Sequence, residues 1–206
     1  MNKNQTNHLD TPKLILASSS PYRRELLARL KLGFQAESPE IDESAMLGED
    51  PDQLVRRLSL EKARAVASHH TDALIIGSDQ AAVIKGKREQ ILGKPGNFNN
   101  AVKQLSSASG KQVVFLTGIC LLNSETGSYQ LDLVPFTVHF RKLSPQEIKG
   151  YITKEQPFNC AGSFRSEGLG IALFEKMEGE DPTALIGLPL IRLVKMLKSE
   201  GIDVLS

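Results

Sequence analysis

The stretch over residues 14–30, LILASSSPYRRELLARL, leaves little freedom for the local fold. Its first four residues, Leu14, Ile15, Leu16 and Ala17, are unbroken and apolar, which fits a short buried strand. Three serines and Pro21 end that run. Leu26, Leu27 and Leu30 then return at helical spacing among charges. The pattern predicts strand, tight turn, helix. Pro21 suits the first helical position, where a missing N–H costs nothing, and Ser19 or Ser20 stands where a cap is needed. The free N–H groups of the first turn would face out over the strand end, with the positive end of the macrodipole behind them and Arg23 and Arg24 alongside. Such a tip suits phosphate. The same residues also fit an ordinary capped turn with solvated arginines.

Taken in order, residues 34–37 read as a short strand, and 38–50 as an acidic, turn-rich loop holding Glu43. Pro51 opens a helix, with Leu54, Val55 and Leu58 on one face, that ends near His69 and His70. Residues 73–77 form a buried strand that runs into Ser78, Asp79 and Gln80 and back into the apolar 81–84. A polar trio inside a strand-like run is a conflict between local pattern and fold, and such conflicts gather at functional sites. Residues 85–87 read as a turn and 99–105 as a helix. Residues 113–122 and 129–140 read as a hairpin, and Ser144-Pro145-Gln146-Glu147 as a capping box opening a helix to 154. Residues 160–170 are rich in glycine and serine around Arg165 and Glu167. A strand over 171–174, a capped helix start at Asp181-Pro182 and an amphipathic helix over 187–200 complete the reading. The expected class is α/β: a central twisted mixed sheet flanked by helices, in two lobes with a cleft. Residues 1–12 read as a frayed or disordered tail, and 13–206 as a single domain.

A net charge of +1 over 206 residues argues against an extended nucleic-acid surface, so any basic site must be local. No apolar run approaches the ~20 residues that span a bilayer, and the polar start lacks a signal-peptide core. Cys120 and Cys160, the two cysteines, stand apart with no metal-ligand spacing. A cytoplasmic protein without membrane or nucleic-acid partner is expected.

Four features carry chemistry. Asp79 stands at the end of a buried strand, where open α/β sheets place ligands, and suits a general base or a metal ligand. Glu43 offers carboxylate oxygen to a divalent cation. Lys62 and Lys94 are point charges suited to phosphate. Glu167 lies in a polar loop of the kind that carries function. Each also has a plain structural reading, as a turn former or a solvated charge. His69 and His70 read as compensating the helix dipole, and His139 as a strand residue. Together the set suits metal-assisted attack of water on a phosphoanhydride.

The blocks LILASSSPYRRELL, PEIDE, LSLEKARAVA, LIIGSDQ, ILGKP, CAGSFRSEG and IGLPL, in that order, resemble the Maf family of nucleoside triphosphate pyrophosphatases. The resemblance implies a Maf/ITPase-like fold, frequent homodimers, and a hydrolase that splits a nucleoside triphosphate into monophosphate and pyrophosphate with Mg²⁺ or Mn²⁺. It places the proton acceptor on Asp79, phosphate contacts on Ser18, Ser20 and Arg23, and the acidic and lysine positions on Glu43, Lys62 and Lys94. Tyr22, Gln80 and Glu167 fall where the family sets base specificity. There the branch acting on dTTP and UTP usually has Arg, Thr and Gln, and this chain is similar instead to the branch that hydrolyses 7-methyl-GTP. That branch usually carries Trp where this chain has Tyr22. An aromatic face and a carboxylate suit a cationic methylated guanine. The alternatives are a dTTP/UTP or other modified-nucleotide pyrophosphatase, and a nucleotide-binding regulator of cell division.

Overall fold

The computed structural model describes residues 12–86 and 89–206. The 1–12 tail therefore lies outside the described residues except for Pro12, as does Lys87 of the expected 85–87 turn. Among the described residues, seven strands form one mixed sheet: β1 (Lys13–Ala17), β2 (Gln35–Glu37), β3 (Ala73–Ile84), β4 (Gln90–Leu92), β5 (Gln112–Asn123), β6 (Tyr129–Phe140) and β7 (Phe174–Gly179). Their order is β2-β1-β3-β5-β6-β7, with β4 on β3. β1 runs parallel to β2 and β3, and every pair from β3 onward is antiparallel.

The helices are α1 (Pro21–Ala28), α2 (Pro51–Ala67), α3 (Phe98–Ala108), α4 (Pro145–Glu155), α5 (Pro182–Ile186) and α6 (Leu190–Ser199). Ser20 caps α1, and α2 and α4 both open on a capping box with proline in the first turn. Those caps are legible in the sequence because they rest on neighbouring residues alone.

β3 is one continuous twelve-residue strand, so the polar trio interrupts the core and not the ladder. On one face Leu74 and Ile76 belong to a core shared with α1 and α6, while Ala82 and Ile84 belong to a second core shared with α3 and α4. On the other face Ile75 and Val83 pack into two further clusters roofed by α2. Between the cores of each face lies a polar seam: Ser78 and Gln80 on one side of the strand, Asp79 on the other, because successive side chains alternate.

The ladder explains why that seam opens. β1 stops at Ala17, paired with Gly77, and the antiparallel β4 reaches back only as far as its last residue, Leu92, paired with Ala82. Among the described residues, none therefore pairs with 78–81 as a strand on that edge. This gap between the two lobes is the cleft.

Two expectations need correction. Residues 171–174 are not a strand: Leu169–Leu173 form a 3₁₀ turn, and β7 starts at Phe174. Arg141 takes the carbonyls of that turn, its Nε donating to Ala172 O (2.7 Å) and its backbone N–H to Leu173 O (3.1 Å). The strand that follows is charged and exposed, so hydrophobic patterning does not reveal it. The helix expected over 187–200 begins at Leu190. Gly187 sits at φ +119°, in the left-handed region, and ends α5 instead. Asp181 spans the break, accepting from Thr183 N (3.0 Å) with Oδ1 and from Ile191 N (2.7 Å) with Oδ2.

Candidate active site

The gap in the sheet opens into a cleft of roughly 640 Å³. Ten of the residues singled out from the sequence line it: Ser18, Ser20, Tyr22, Arg23, Glu43, Lys62, Asp79, Gln80, Lys94 and Glu167; Arg24, expected beside Arg23 at the helix tip, is exposed and does not, because the next position of a helix points about 100° away. They arrive from six separate segments of chain, so no local rule could have assembled them.

The first cluster is built on β3 and α2. Lys62 and Asp79 are both buried, and Lys62 Nζ donates to Asp79 Oδ1 at 2.6 Å. Glu43, largely exposed on its loop, reaches the same ammonium at 3.0 Å. Two carboxylates thus share one cation. The close approach comes from glycine. A Cβ on Gly77 would stand 2.0 Å from Ser59 O, and one on Gly118 would stand 2.4 Å from Val55 O. With no side chains there, α2 lies directly on β3 and β5. Ser59 Oγ then takes Asp79 N–H (3.0 Å), and Lys62, a turn further on, meets the Asp79 carboxylate. The Glu43 loop is fastened to α2 by Arg57, which donates to Glu49 Oε1 (2.6 Å) and Ser44 O (3.0 Å).

The turn after β1 supplies the second part. Ser18 Oγ accepts from Ser20 N (3.1 Å), and Ser20 Oγ from Arg23 N (3.4 Å). Both hydroxyls therefore keep their own hydrogens for another acceptor. Arg23 Nε donates to Gly187 O (2.8 Å). Burial lowers the Arg23 pKa from its ordinary value, and the nearby Asp79 and Glu43 offset part of that. Lys94 stands exposed at the mouth, after β4.

The second cluster gathers around Tyr22. Cys160 Sγ lies 3.8 Å from the Tyr22 hydroxyl, and the Arg165 guanidinium lies 5.7 Å from the ring centroid. Arg165 is flanked by Glu155 (3.3 Å) and Glu167 (3.6 Å). Burial, with Cys160 beside it, raises the Tyr22 pKa, so the phenol stays neutral. Gln80 is largely committed to the scaffold: its Nε2 lies within 3.2 Å of Thr117 Oγ1, Ala184 O and Leu185 O. Sequence reasoning notices Arg165 but gives it no role. Its one visible signal is its place two residues before Glu167.

His69 and His70 do more than face a helix dipole. His69 Nδ1 and His70 Nε2 hold the two oxygens of Glu37 at 2.7 and 2.9 Å, which ties the end of α2 to the edge strand β2. His139 lies in β6, as the pattern predicts, and pairs with Glu178.

No group of three His, Cys, Asp or Glu side chains suited to a metal exists among the described residues. The donors present, Glu43 and Asp79, fit a hard cation held by one or two carboxylates and completed by phosphate oxygens. No helix among the described residues is long and apolar enough to cross a membrane.

Comparison with known proteins adds a family. The model of Maf-like proteins matches residues 13–200. A 7-methyl-GTP pyrophosphatase of Pseudomonas savastanoi pv. phaseolicola is 60% identical over 193 residues, covering 94% of this chain and 99% of the relative. Proteins of the same name from Pseudomonas aeruginosa (57%, covering 94% and 99%) and Methylobacillus flagellatus (56%, covering 94% and 100%) are similar over the same span. The solved structure of the Staphylococcus aureus Ham1 protein matches 62% of this chain and 71% of its own at a TM-score of 0.43 and 12% identity, too slight a likeness to bear on function.

Proposed function

Since the chain belongs to the family of Maf-like proteins, we propose that it is a nucleoside triphosphate pyrophosphatase that hydrolyses 7-methyl-GTP to 7-methyl-GMP and pyrophosphate. The observation that carries this reading is the meeting, in one cleft, of a serine-arginine helix tip, a buried carboxylate with its lysine, and an aromatic-carboxylate pair.

The triphosphate lies along the turn over residues 18–23, where the Ser18 and Ser20 hydroxyls and the α1 N-terminus donate to its oxygens. Asp79 accepts a proton from the water that attacks the α-phosphorus, and the bond from that phosphorus to the bridging oxygen of the leaving pyrophosphate breaks. Asp79 Oδ1 is bound to Lys62, and no hydrogen bond engages Oδ2 among the described residues, so Oδ2 is the oxygen that takes the proton. Lys62, Lys94 and Arg23 offset the charge that builds on the leaving group. Glu43 would hold a Mg²⁺ or Mn²⁺ ion, which when bound supplies charge neutralisation of the phosphates.

At the other cluster, methylation at N7 makes the base a cation. The Tyr22 ring face favours such a base over a neutral one by ~0.5–2 kcal/mol. Glu167 accepts from the N1–H and 2-amino group and complements the charge.

The test is pyrophosphate release from 7-methyl-GTP, GTP, dTTP and UTP with Mg²⁺ or Mn²⁺, and Asp79→Asn as the blank. The expected result is the highest kcat/KM for 7-methyl-GTP. A preference for unmethylated pyrimidine nucleotides would remove the methylated base from the reading.

A further inference from the structure

Among the described residues, Arg165 Nε is a buried side-chain nitrogen with no hydrogen-bond partner. It faces Glu167 Oε1 at 3.6 Å, beyond hydrogen-bond reach. The residue is not loosely placed. Its backbone N–H donates to Tyr151 Oη (3.0 Å), and its carbonyl accepts from Gly168 N (3.3 Å) and Gly170 N (3.0 Å). Its guanidinium rests against Tyr22 and pairs with Glu155, whose Oε2 in turn accepts from Leu169 N (2.9 Å). A buried donor without an acceptor is costly, and Tyr22 and Glu155 hold the guanidinium in place although the side chain as a whole is 37% exposed. A ligand that brings an acceptor to it removes the cost.

We infer that Arg165 is a specificity residue: its Nε–H, set beside the Glu167 carboxylate, forms a donor-acceptor pair that reads a base edge with a carbonyl oxygen next to a ring N–H. This rests on the reading of the cleft as a nucleotide site. A base held against Tyr22 with its edge at Glu167 meets Arg165, because Arg165 touches both. Guanine, uracil and thymine present a carbonyl beside an N–H, which is complementary to this pair. Adenine and cytosine present an amino group beside a bare ring nitrogen, which sets donor against donor and acceptor against acceptor. N7 methylation leaves the keto edge intact. The guanidinium does not exclude a cationic base, since Glu155 and Glu167 flank it and the three groups together carry one negative charge.

The experiment measures kcat and KM for 7-methyl-GTP, GTP, UTP, ATP and CTP with the parent, Arg165→Met and Arg165→Lys. In the parent, keto bases exceed amino bases. Arg165→Met lowers the GTP to ATP ratio of kcat/KM by about tenfold or more, because the pocket is built around that hydrogen bond. The loss falls on KM, with kcat for 7-methyl-GTP within about twofold of the parent, since Arg165 touches the base and not the phosphates. Arg165→Lys recovers part of the ratio. An unchanged ratio, an equal loss across all five nucleotides, or a parent blind to keto against amino would overturn the assignment. If thermal melting shows that Arg165→Met does not fold, the Arg165→Lys ratio decides by the same criteria. A parent that prefers GTP to 7-methyl-GTP defeats the methylated-base reading, while the keto to amino ratio still tests Arg165 separately.

Discussion

The two clusters of the cleft wall are built in opposite ways. Lys62 and Asp79 stand on a regular helix and a central strand, pressed together by glycines, and both are buried. Tyr22, on α1, and Cys160, Arg165 and Glu167, of the irregular segment between α4 and β7, meet through longer, softer contacts of 3.6–5.7 Å. The first arrangement fixes one geometry, which the proposed reaction would use for proton transfer and charge neutralisation. The second leaves a pocket whose shape loop residues set. On the function proposed above, chemistry is thereby separated from selectivity.

The largest test of that separation is Asp79→Asn. Loss of a positioned general base costs ~10²–10⁴ in rate. The fold should survive, because the amide oxygen still accepts from Lys62 and Glu43 remains on the same ammonium. The expected result is a near-dead enzyme with KM and thermal midpoint close to the parent. A rate near the parent's would take the proton-accepting role away from Asp79.

Next is Gly118→Ala. The new methyl would meet backbone, at 2.4 Å from Val55 O, and backbone cannot rotate away. Overpacking of this kind costs about 1–3 kcal/mol. It also lifts α2 off the sheet and parts Lys62 from Asp79. Urea unfolding and kcat should fall together, with base preference unaltered. A change in preference without a change in kcat would show that the two clusters are not independent.

Tyr22→Leu should act the other way. Losing ~0.5–2 kcal/mol of cation–π attraction lowers the 7-methyl-GTP to GTP ratio of kcat/KM by roughly 2- to 30-fold, with kcat held. The ratio is the quantity to measure, since general damage to the pocket cancels in it.

The smallest effect concerns the loop that carries Glu43. Hydrogen bonds from Arg57 and from Met46 N–H hold the Glu49 carboxyl down from 4.5 to about 2. A carboxyl whose pKa is lowered by folding adds stability above its unfolded value, and that stability is lost as pH falls through the folded one. Glu49→Gln should therefore be less stable than the parent at pH 7. The gap in denaturation midpoint should stay constant down to about pH 5 and close near pH 2. A gap that persists at pH 2 would mean the ionised carboxylate is not what fastens this loop.

Residue by residue, the sequence is most legible where causes are local. The α1 turn, the Asp50 and Ser144 capping boxes and the hairpin of β5 and β6 follow from residues a few positions apart. β7 escapes because an exposed charged edge strand has no apolar rhythm, and β4 because three residues are too few to show one. The break between α5 and α6 escapes because leucines keep helical spacing across it, while Gly187 and Pro189 decide otherwise. Of the cleft, the residues marked from sequence come to line it except Arg24, yet their pairings are hidden. Nothing in the chain's order says that Lys62 binds Asp79, that Gln80 Nε2 lies against carbonyls of α5, or that Arg165 rests on Tyr22.

The strand-turn-helix at residues 14–30, the caps and the polar interruption of β3 are written in the order of residues, because propensity, capping and alternation act over one or two turns of chain. Tertiary structure alone decided that β1 and β4 end on either side of that interruption, which opens the cleft. It alone brought the Lys62 ammonium to within 2.6 Å of Asp79, through helix-on-sheet contact at Gly77 and Gly118. The physical reason is distance. Electrostatic and hydrogen-bonding chemistry acts over a few ångströms, and only the packing of remote segments sets which groups come that close.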